Sequence, residues 1–551
     1  IVYFISNGRI YRQPLAGGAA RPITPPFGEA ASPTVSPDGR FIIYVHSDGT
    51  NDAIAICDTE GKYWPQRIAV GNDFYMHPCW HPDGTMVSWI SWDHPNMPWD
   101  ETRLHLATLE MNGSGLPVPH NDRRVAENDG VAIFQPQFSP DGTSLAYVSN
   151  EAGYGNLMIY DLHSETSRPL TSADEEIAQP GWVQGERTYG FTSDGRGIIY
   201  RARANGRDTL WRIDLETGNV ESLERYFSAY SLFSQVSPSP TEDVVALIAQ
   251  GSTIPPRIVT CALGVGSKQN ISQPRIHRFS TTETIPQGDL STPEDVTWPS
   301  SDGETVHGLY YAPHNEAFVG RGKPPAIVQV HGGPTSQYVI GYHAQAQFFT
   351  SRGYAVLQVN HRGSTGYGRE YREALNGRWG IVDVEDTAAG ARFLAQSERT
   401  DGNRLVIMGG SAGGYTVLRC LTEHPGLFRA ALCLYGVSDL FRLALETHKF
   451  EAHYLDSLVG ELPETSAVYR ERSPIYSADK IVDPIAIFQG EEDRVVPKEQ
   501  SESIVASLRR RGVTHEYHLY PGEGHGFRKV ETLEAFYRDV QRFLRENVLF
   551  S

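Results

Sequence analysis

Five short β-type runs recur at nearly even spacing through the first half of the chain: Phe41–Val45, Met86–Ile90, Leu145–Val148, Ile198–Tyr200 and Val244–Ile248. Their starts lie 45, 59, 53 and 46 residues apart. Three of them follow one and the same turn, at Ser36-Pro37-Asp38-Gly39, His81-Pro82-Asp83-Gly84 and Ser139-Pro140-Asp141-Gly142. Weaker copies, Ser193-Asp194-Gly195 and Ser237-Pro238, precede the other two. In such a turn Pro presets φ, Asp bonds its own backbone and Gly accepts a positive φ. A second strand follows each run, at Ala53–Cys57, Arg103–Leu109, Asn156–Leu162, Thr209–Leu215 and Arg257–Cys261. A period of about 40–50 residues with several strands per unit predicts β-propeller blades. An ordinary β-sandwich would not repeat one turn at one place. Ile1–Ile5 with Ile10–Arg12 reads as a further, partial blade without its leading strand. The chain is therefore expected to begin inside a blade and to be N-terminally incomplete.

From about Asp295 the pattern changes. Strand-like runs alternate with helix-length amphipathic segments, which predicts a mostly parallel sheet flanked by helices. The strands are Ala326–Val330, Ala355–Val359, Leu405–Met408, Ala430–Leu434, Ile485–Phe488 and Glu516–Tyr520. The helices are Ala344–Ser351, Val384–Gln396, Tyr415–Thr422, Lys498–Arg511 and Leu533–Glu546. Residues 270–294, rich in Ser, Thr, Gln and Pro, read as the connection. The expected domains are a propeller over 1–280 and an α/β domain over 281–551.

Composition narrows the function. The chain has 551 residues, 40% hydrophobic, with 48 Lys+Arg against 66 Asp+Glu for a net charge of −18. That balance argues against a nucleic-acid binder, which needs a basic face. No run of about 18 apolar residues marks a membrane span. Five cysteines, Cys57, Cys79, Cys261, Cys420 and Cys433, are too few and too scattered for a disulfide framework. They read as buried thiols in a reducing compartment, hence a cytoplasmic protein. His77, Cys79 and His81 alternate along a strand, but zinc would want a fourth ligand or a water and no second cluster is evident. No metal or cofactor is expected. The insertion Trp92–Asp100 reads as loop, and packing between the domains is the favoured role for its tryptophans.

The chemistry lies in the second half. Gly409-Gly410-Ser411-Ala412-Gly413 matches G-x-S-x-G, the nucleophile elbow. Chance alone gives roughly 0.3 such matches in a chain of this composition, but here a buried strand runs into the motif and a helix leaves it. A serine hydroxyl needs a base. His525, between glycines after the last strand, is the candidate, whereas His515 and His518 sit within that strand. An orienting acid should come between serine and histidine. Asp493 fits that position, with Glu491 and Glu492 as competitors. Serine, acid and histidine then stand in α/β-hydrolase order, with gaps of 82 and 32 residues. Oxyanion donors are expected at the Ala412 N–H and in the loop His331-Gly332-Gly333-Pro334 after strand Ala326–Val330.

Taken together, His331–Pro334, Asn360–Gly368, Gly409–Tyr415, Gly490–Asp493 and Gly524–Gly526 resemble the prolyl oligopeptidase family of serine peptidases, and the match extends over the propeller. The resemblance implies a propeller, usually of seven blades, capping an α/β-hydrolase. Within the family the chain is similar to the acylaminoacyl-peptidase and bacterial aminopeptidase branch. In that branch a histidine of H-G-G-P stands where other members carry an oxyanion tyrosine, so the second donor falls to Gly333, with Gly332 behind it. The segments Trp92–Asp100 and Thr447–Glu451 resemble puromycin-hydrolase-type aminopeptidases. The expected activity is hydrolysis of short peptides or aminoacyl amides through an acyl-enzyme, most naturally as an aminopeptidase. Acylaminoacyl-peptidase or oligopeptidase activity is the alternative, and an esterase ranks below both. For an aminopeptidase Glu451 is the candidate partner of a substrate α-ammonium, and Val437, Leu440 and Leu443 could line the side-chain pocket. Self-association is left open.

Overall fold

The computed structural model describes residues 1–113, 115–263 and 273–550. They divide into two compact units: Ile1–Ala204 with Asp208–Ala249 and Arg257–Phe279, and Asn205–Arg207 with Gln250–Pro256 and Ser280–Ser551.

The first unit is built from six antiparallel sheets in succession, numbered here as blades one to six. Blade one has three strands, Val2–Ser6, Arg9–Gln13 and Arg21–Pro22. Blades two to six have four each. The repeated turn explains the regularity. Ser36 Oγ donates to Asp38 (2.6 Å) and accepts from the Phe41 N–H (2.9 Å), while Gly39 takes φ 74°. Ser139 and Asp141 repeat this arrangement. The first strands of blades two to six are Glu29–Val35, Phe74–Trp80, Ile133–Phe138, Tyr189–Phe191 and Leu232–Pro238, each at the edge of its sheet. The first strand of blade two packs on that of blade three, three on four, and five on six. These strands form the inner ring of the propeller.

Among the described residues the propeller has six sheets. Two expectations change here. Residues 275–279 are not linker but the outer strand of blade six, paired to Arg257–Thr260, while 270–272 lie outside the described residues. The tryptophans of the Trp92–Asp100 insertion are buried inside this unit. Trp92 stacks on Phe74 (centroids 5.1 Å apart) and Trp99 meets Trp182 (4.6 Å), so aromatic packing within the propeller accounts for them.

The second unit is organised by one eight-stranded sheet. Its strands are β1 (Glu294–Pro299), β2 (Thr305–Tyr311), β3 (Ala326–Val330), β4 (Ala355–Asn360), β5 (Leu405–Gly410), β6 (Ala430–Leu434), β7 (Ile485–Gly490) and β8 (His515–Tyr520), in the order β1-β2-β4-β3-β5-β6-β7-β8. The first two are antiparallel and the rest parallel. β3 and β6 are buried at every residue, as parallel strands covered on both faces must be. One face packs on α1 (Ala344–Thr350) and the C-terminal helix, the other on α2 (Val382–Gln396), α3 (Ala412–Glu423) and α4 (Lys498–Arg511). In this topology the carboxyl ends of the parallel strands gather side chains from several loops at one edge. Among the described residues no helix is long and apolar enough to cross a membrane.

Candidate active site

Ser411 stands between β5 and α3 with φ 57° and ψ −122°, a conformation that L-residues avoid. Two backbone bonds hold it there: Ser411 N–H to Leu434 O (3.0 Å) and Tyr415 N–H to Ser411 O (2.9 Å). The flanking glycines are required by close approach. A Cβ on Gly409 would lie 2.4 Å from Gly413 O, and one on Gly413 would lie 2.3 Å from Val330 O. α3 therefore starts in direct backbone contact with the end of β3. Its first-turn N–H groups, Ala412 among them, lack carbonyl partners within the helix and face the side where an anion would be stabilised.

β7 and the turn after β8 bring the acid and the base together. The Asp493 side chain is completely buried. Its Oδ1 accepts from the N–H groups of Val495 and Val496 (2.9 Å each), and its Oδ2 lies 2.8 Å from His525 Nδ1. Since a carboxylate only accepts, His525 carries its proton on Nδ1 and leaves Nε2 unprotonated. Gln489, fully buried, donates to Val496 O (3.0 Å) and more weakly to Asp493 Oδ2 (3.4 Å), and accepts from Ser501 (2.7 Å). The two turns touch backbone to backbone: a Cβ on Gly490 would sit 2.3 Å from Gly524 O. Glu523 is buried beside His525, and its carboxylate caps the Arg528 and Lys529 N–H groups. Burial alone would raise its pKa, but those bonds outweigh it and hold the carboxyl below its ordinary value. Neither Glu491 nor Glu492 has a described contact with His525. His515 bonds Val513 O, and His518 lies between Glu516 and Asp539.

His331 fixes the glycine loop. Burial, with the neighbouring His361 adding to it, depresses its pKa to about 3, so the ring is neutral. Its Nδ1–H donates to Gly332 O (2.8 Å), and its Nε2 accepts from Ser364 Oγ (2.8 Å). Gly333 takes φ 119°, and a Cβ there would meet Thr335 N at 2.7 Å. A Cβ on Gly332 would lie 3.5 Å from the Cβ of Ser411, so this loop runs directly beside Ser411.

Ser411, Ala412 and Gly333 open into one pocket whose other walls are mostly apolar. Val437 and Leu443 line it, as does Glu451. Leu440 does not. It is completely buried at the first turn of the helix Leu440–Glu446, where Asp439 caps the helix. Glu451 ends a short 3-10 turn; its carboxylate accepts from Thr447 (3.3 Å) and lies 3.8 Å from His448. Several lining residues escaped the sequence reading. Trp379 packs on Tyr415 (4.3 Å), and the Tyr454 hydroxyl pairs with Thr335 (2.6 Å), tying the pocket wall to the loop that carries Gly332 and Gly333. Tyr435 was also missed. It sits at φ 37° after β6, its ring 4.7 Å from that of His525. Burial, reinforced by the Asp493 charge, pushes its hydroxyl up to about 12. No isolated sequence signal marks these residues, because each is recruited by a long-range contact.

In the propeller, His77 is buried against Phe134 (4.8 Å). Both nitrogens of His81 are engaged, by Asp83 (2.6 Å) and by Gly142 O (2.9 Å). Among the described residues no group of three or more His, Cys, Asp or Glu is placed to hold a metal ion.

Comparison with known proteins bears on this site. A sequence model described as the prolyl oligopeptidase family matches residues 341–549. A puromycin-hydrolyzing peptidase of Mycobacterium tuberculosis is 31% identical, with a TM-score of 0.90 over 99% of this chain and 84% of that one. A puromycin hydrolase structure is 30% identical, with a TM-score of 0.88 over 98% and 83%. Dipeptidyl aminopeptidase BIII of Pseudoxanthomonas mexicana is 34% identical over 45% of this chain. The acylamino-acid-releasing enzyme of Mus musculus is 25% identical over 85% of it. The chain spans 38% and 65% of the lengths of these last two relatives.

Proposed function

The chain belongs to the prolyl oligopeptidase family of serine peptidases, and on that premise we propose that it hydrolyses short peptides or aminoacyl amides as an aminopeptidase. Ser411 Oγ attacks the scissile carbonyl while His525 Nε2 takes its proton. Asp493 keeps the imidazole in the required tautomer and stabilises the imidazolium. The Ser411–His525 hydrogen bond needed for this step closes as substrate seats. The tetrahedral oxyanion is received by the N–H groups of Ala412 and Gly333, with Gly332 as the alternative donor. Removing one such donor typically costs about 10²–10³ in kcat. His525 then protonates the leaving amine, and water, activated by the same histidine, releases the acyl group from Ser411.

The observation that carries the aminopeptidase reading is that Glu451 lines the same pocket as Ser411, Val437 and Leu443. An anion in a mostly apolar acyl pocket suits a substrate whose α-ammonium lies beside its side chain, because a paired charge there avoids the cost of burial. Release of N-acylated residues is the second reading. It is favoured by the likeness to the acylamino-acid-releasing enzyme over 85% of the chain. Esters, being easier acyl donors, are expected as side substrates. A panel of free aminoacyl, N-acetyl-aminoacyl and dipeptidyl chromogenic amides tests the proposal. Free aminoacyl amides should have the highest kcat/KM. Preference for the N-acetylated series would overturn it in favour of the second reading.

A further inference from the structure

The inner ring of a propeller surrounds an axial channel. Residues 180–187 join blade four to blade five without regular secondary structure. Their contacts include blades beyond the two they join. The Gln184 side chain accepts from Ser32 Oγ (3.0 Å), on the inner strand of blade two, and donates to Tyr75 O (2.8 Å), on that of blade three. The next residue, Gly185, accepts through its carbonyl from the Gln235 side chain (3.2 Å) on the inner strand of blade six. Arg187 O accepts from the Val236 N–H (3.0 Å) of the same strand. Thr188 N–H donates to Gln135 Oε1 (2.7 Å) on blade four. Two consecutive residues, Gln184 and Gly185, thus bridge the inner strands of blades two, three and six.

The inner strands are shaped for this. Ser32, His77, Gln135 and Gln235 occupy the same place in blades two, three, four and six, and all four have positive φ, between 48° and 55°. In blades two, three and four that place is an irregularity in the pairing to the next strand. A bulge of this kind re-aims a side chain. At Ser32 and Gln235 the re-aimed side chain grips residues 180–187, and at Gln135 it holds Thr188 and Tyr189 just beyond them. Packing closes what the hydrogen bonds leave. Gly181 fits so tightly that a Cβ there would be 3.3 Å from Met76 and from Pro98, and Trp182 lies on Trp99.

We propose that residues 180–187 are a built-in plug of the propeller axis, seated throughout turnover, so that whatever route a peptide takes to Ser411 does not run along that axis. This rests on the peptidase reading only for its consequence for substrates; the closure itself does not depend on it. Hydrogen exchange on the wild-type protein tests the closure without reference to activity. The Val236 amide is bonded to Arg187 O only while the plug is seated, and should exchange as slowly as those of the adjacent strand Gly197–Ala204. Exchange at the rate of an unprotected loop would overturn the proposal. The consequence is tested with Ser32→Cys/Gln184→Cys, bridged by a bis-maleimide carrying a cleavable disulfide. The bridged enzyme should retain its kcat/KM on short and long peptides. A loss on bridging that is restored by reduction would show that the axis opens during turnover, and would overturn the proposal. A protein that protects this amide but cleaves no peptide would sink the proposed function and leave the plug standing.

Discussion

Gly413→Ala separates packing from helix propensity at the elbow. Gly413 lies in the first turn of α3, where alanine should by intrinsic propensity stabilise the helix by about 1 kcal/mol. The structure predicts the opposite. The new Cβ would stand 2.3 Å from Val330 O and 2.7 Å from His331 O. Restoring ordinary contact requires α3 and the end of β3 to part by about 1 Å. Overpacking of this kind costs about 1–3 kcal/mol. The larger effect falls on catalysis, because the displaced segments carry the two proposed oxyanion donors, Ala412 on α3 and Gly333 after β3. A misplacement of about 1 Å costs on the order of 10² in rate. The assay is steady-state hydrolysis of the best amide from the substrate panel, with urea unfolding of the same preparation. The expected result is a kcat roughly 10²-fold lower at little-changed KM, with stability reduced. Gly320→Ala is the control, since a Cβ there meets nothing within 4 Å. A Gly413→Ala enzyme at least as stable as wild type, with unchanged kcat, would refute the reasoning.

Four further outcomes follow from the geometry. Ser411→Ala should abolish amide hydrolysis and fluorophosphonate labelling in a folded protein. Ser411→Gly should be more stable than Ser411→Ala, reversing the usual glycine deficit of about 0.5–1 kcal/mol, because φ 57° with ψ −122° is strained for any Cβ; unfolding by urea decides the sign. Glu451→Gln should raise KM for free aminoacyl amides by about 10–100-fold, the worth of a charged hydrogen bond, and spare N-acetylated ones; an equal loss on both would assign Glu451 to structure. His343, whose pKa burial lowers to about 4, caps α1 by accepting from the Ala346 N–H. It therefore binds a proton more readily unfolded than folded, so its share of stability is present above about pH 6.5 and is lost as pH falls towards 4. His343→Asn, which can keep the cap, should flatten the fall of Tm across that window, and an unchanged slope would count against the assignment.

What could be read from the sequence is what local chemistry determines. Ala326–Val330, Ala430–Leu434 and Lys498–Arg511 begin and end where hydrophobic pattern and flanking residues put them. The elbow was legible because Gly409, Ser411 and Gly413 are constrained by contacts within a few residues and by one neighbouring strand. That Asp493 and His525 meet could be anticipated because each follows a recognisable strand. β1 and β2 were not read, since an antiparallel pair at the sheet's edge breaks the strand–helix alternation used to find the rest. The pocket wall over 440–480 is made of short helices whose apolar residues face two surfaces at once. Leu440 and Leu443, three residues apart, consequently end up in different places, one in the core and one on the pocket.

The plug shows where local rules point the wrong way. Ser32, His77 and Gln135 each precede a proline, and such a residue is normally driven to extended backbone. Here all three have positive φ. Strain of this sort costs about 1–3 kcal/mol per residue and persists only where surrounding structure overdetermines it. At Ser32 and Gln135 the surroundings are visible: the bonds to Gln184 and to Thr188 and Tyr189. Those partners lie 152, 53 and 54 residues away in sequence. A repeated dipeptide before the SPDG turn was therefore present in plain sight, but its meaning depends on a segment that has no repeat at all. His77 supports the same view by contrast. It shares the strained backbone, yet its Nε2 has no hydrogen-bond partner, and it contributes instead through its ring against Phe134. The bulge is thus a property of the blade repeat, and the polar grip on residues 180–187 is a use to which two of its four copies, Ser32 and Gln235, are put.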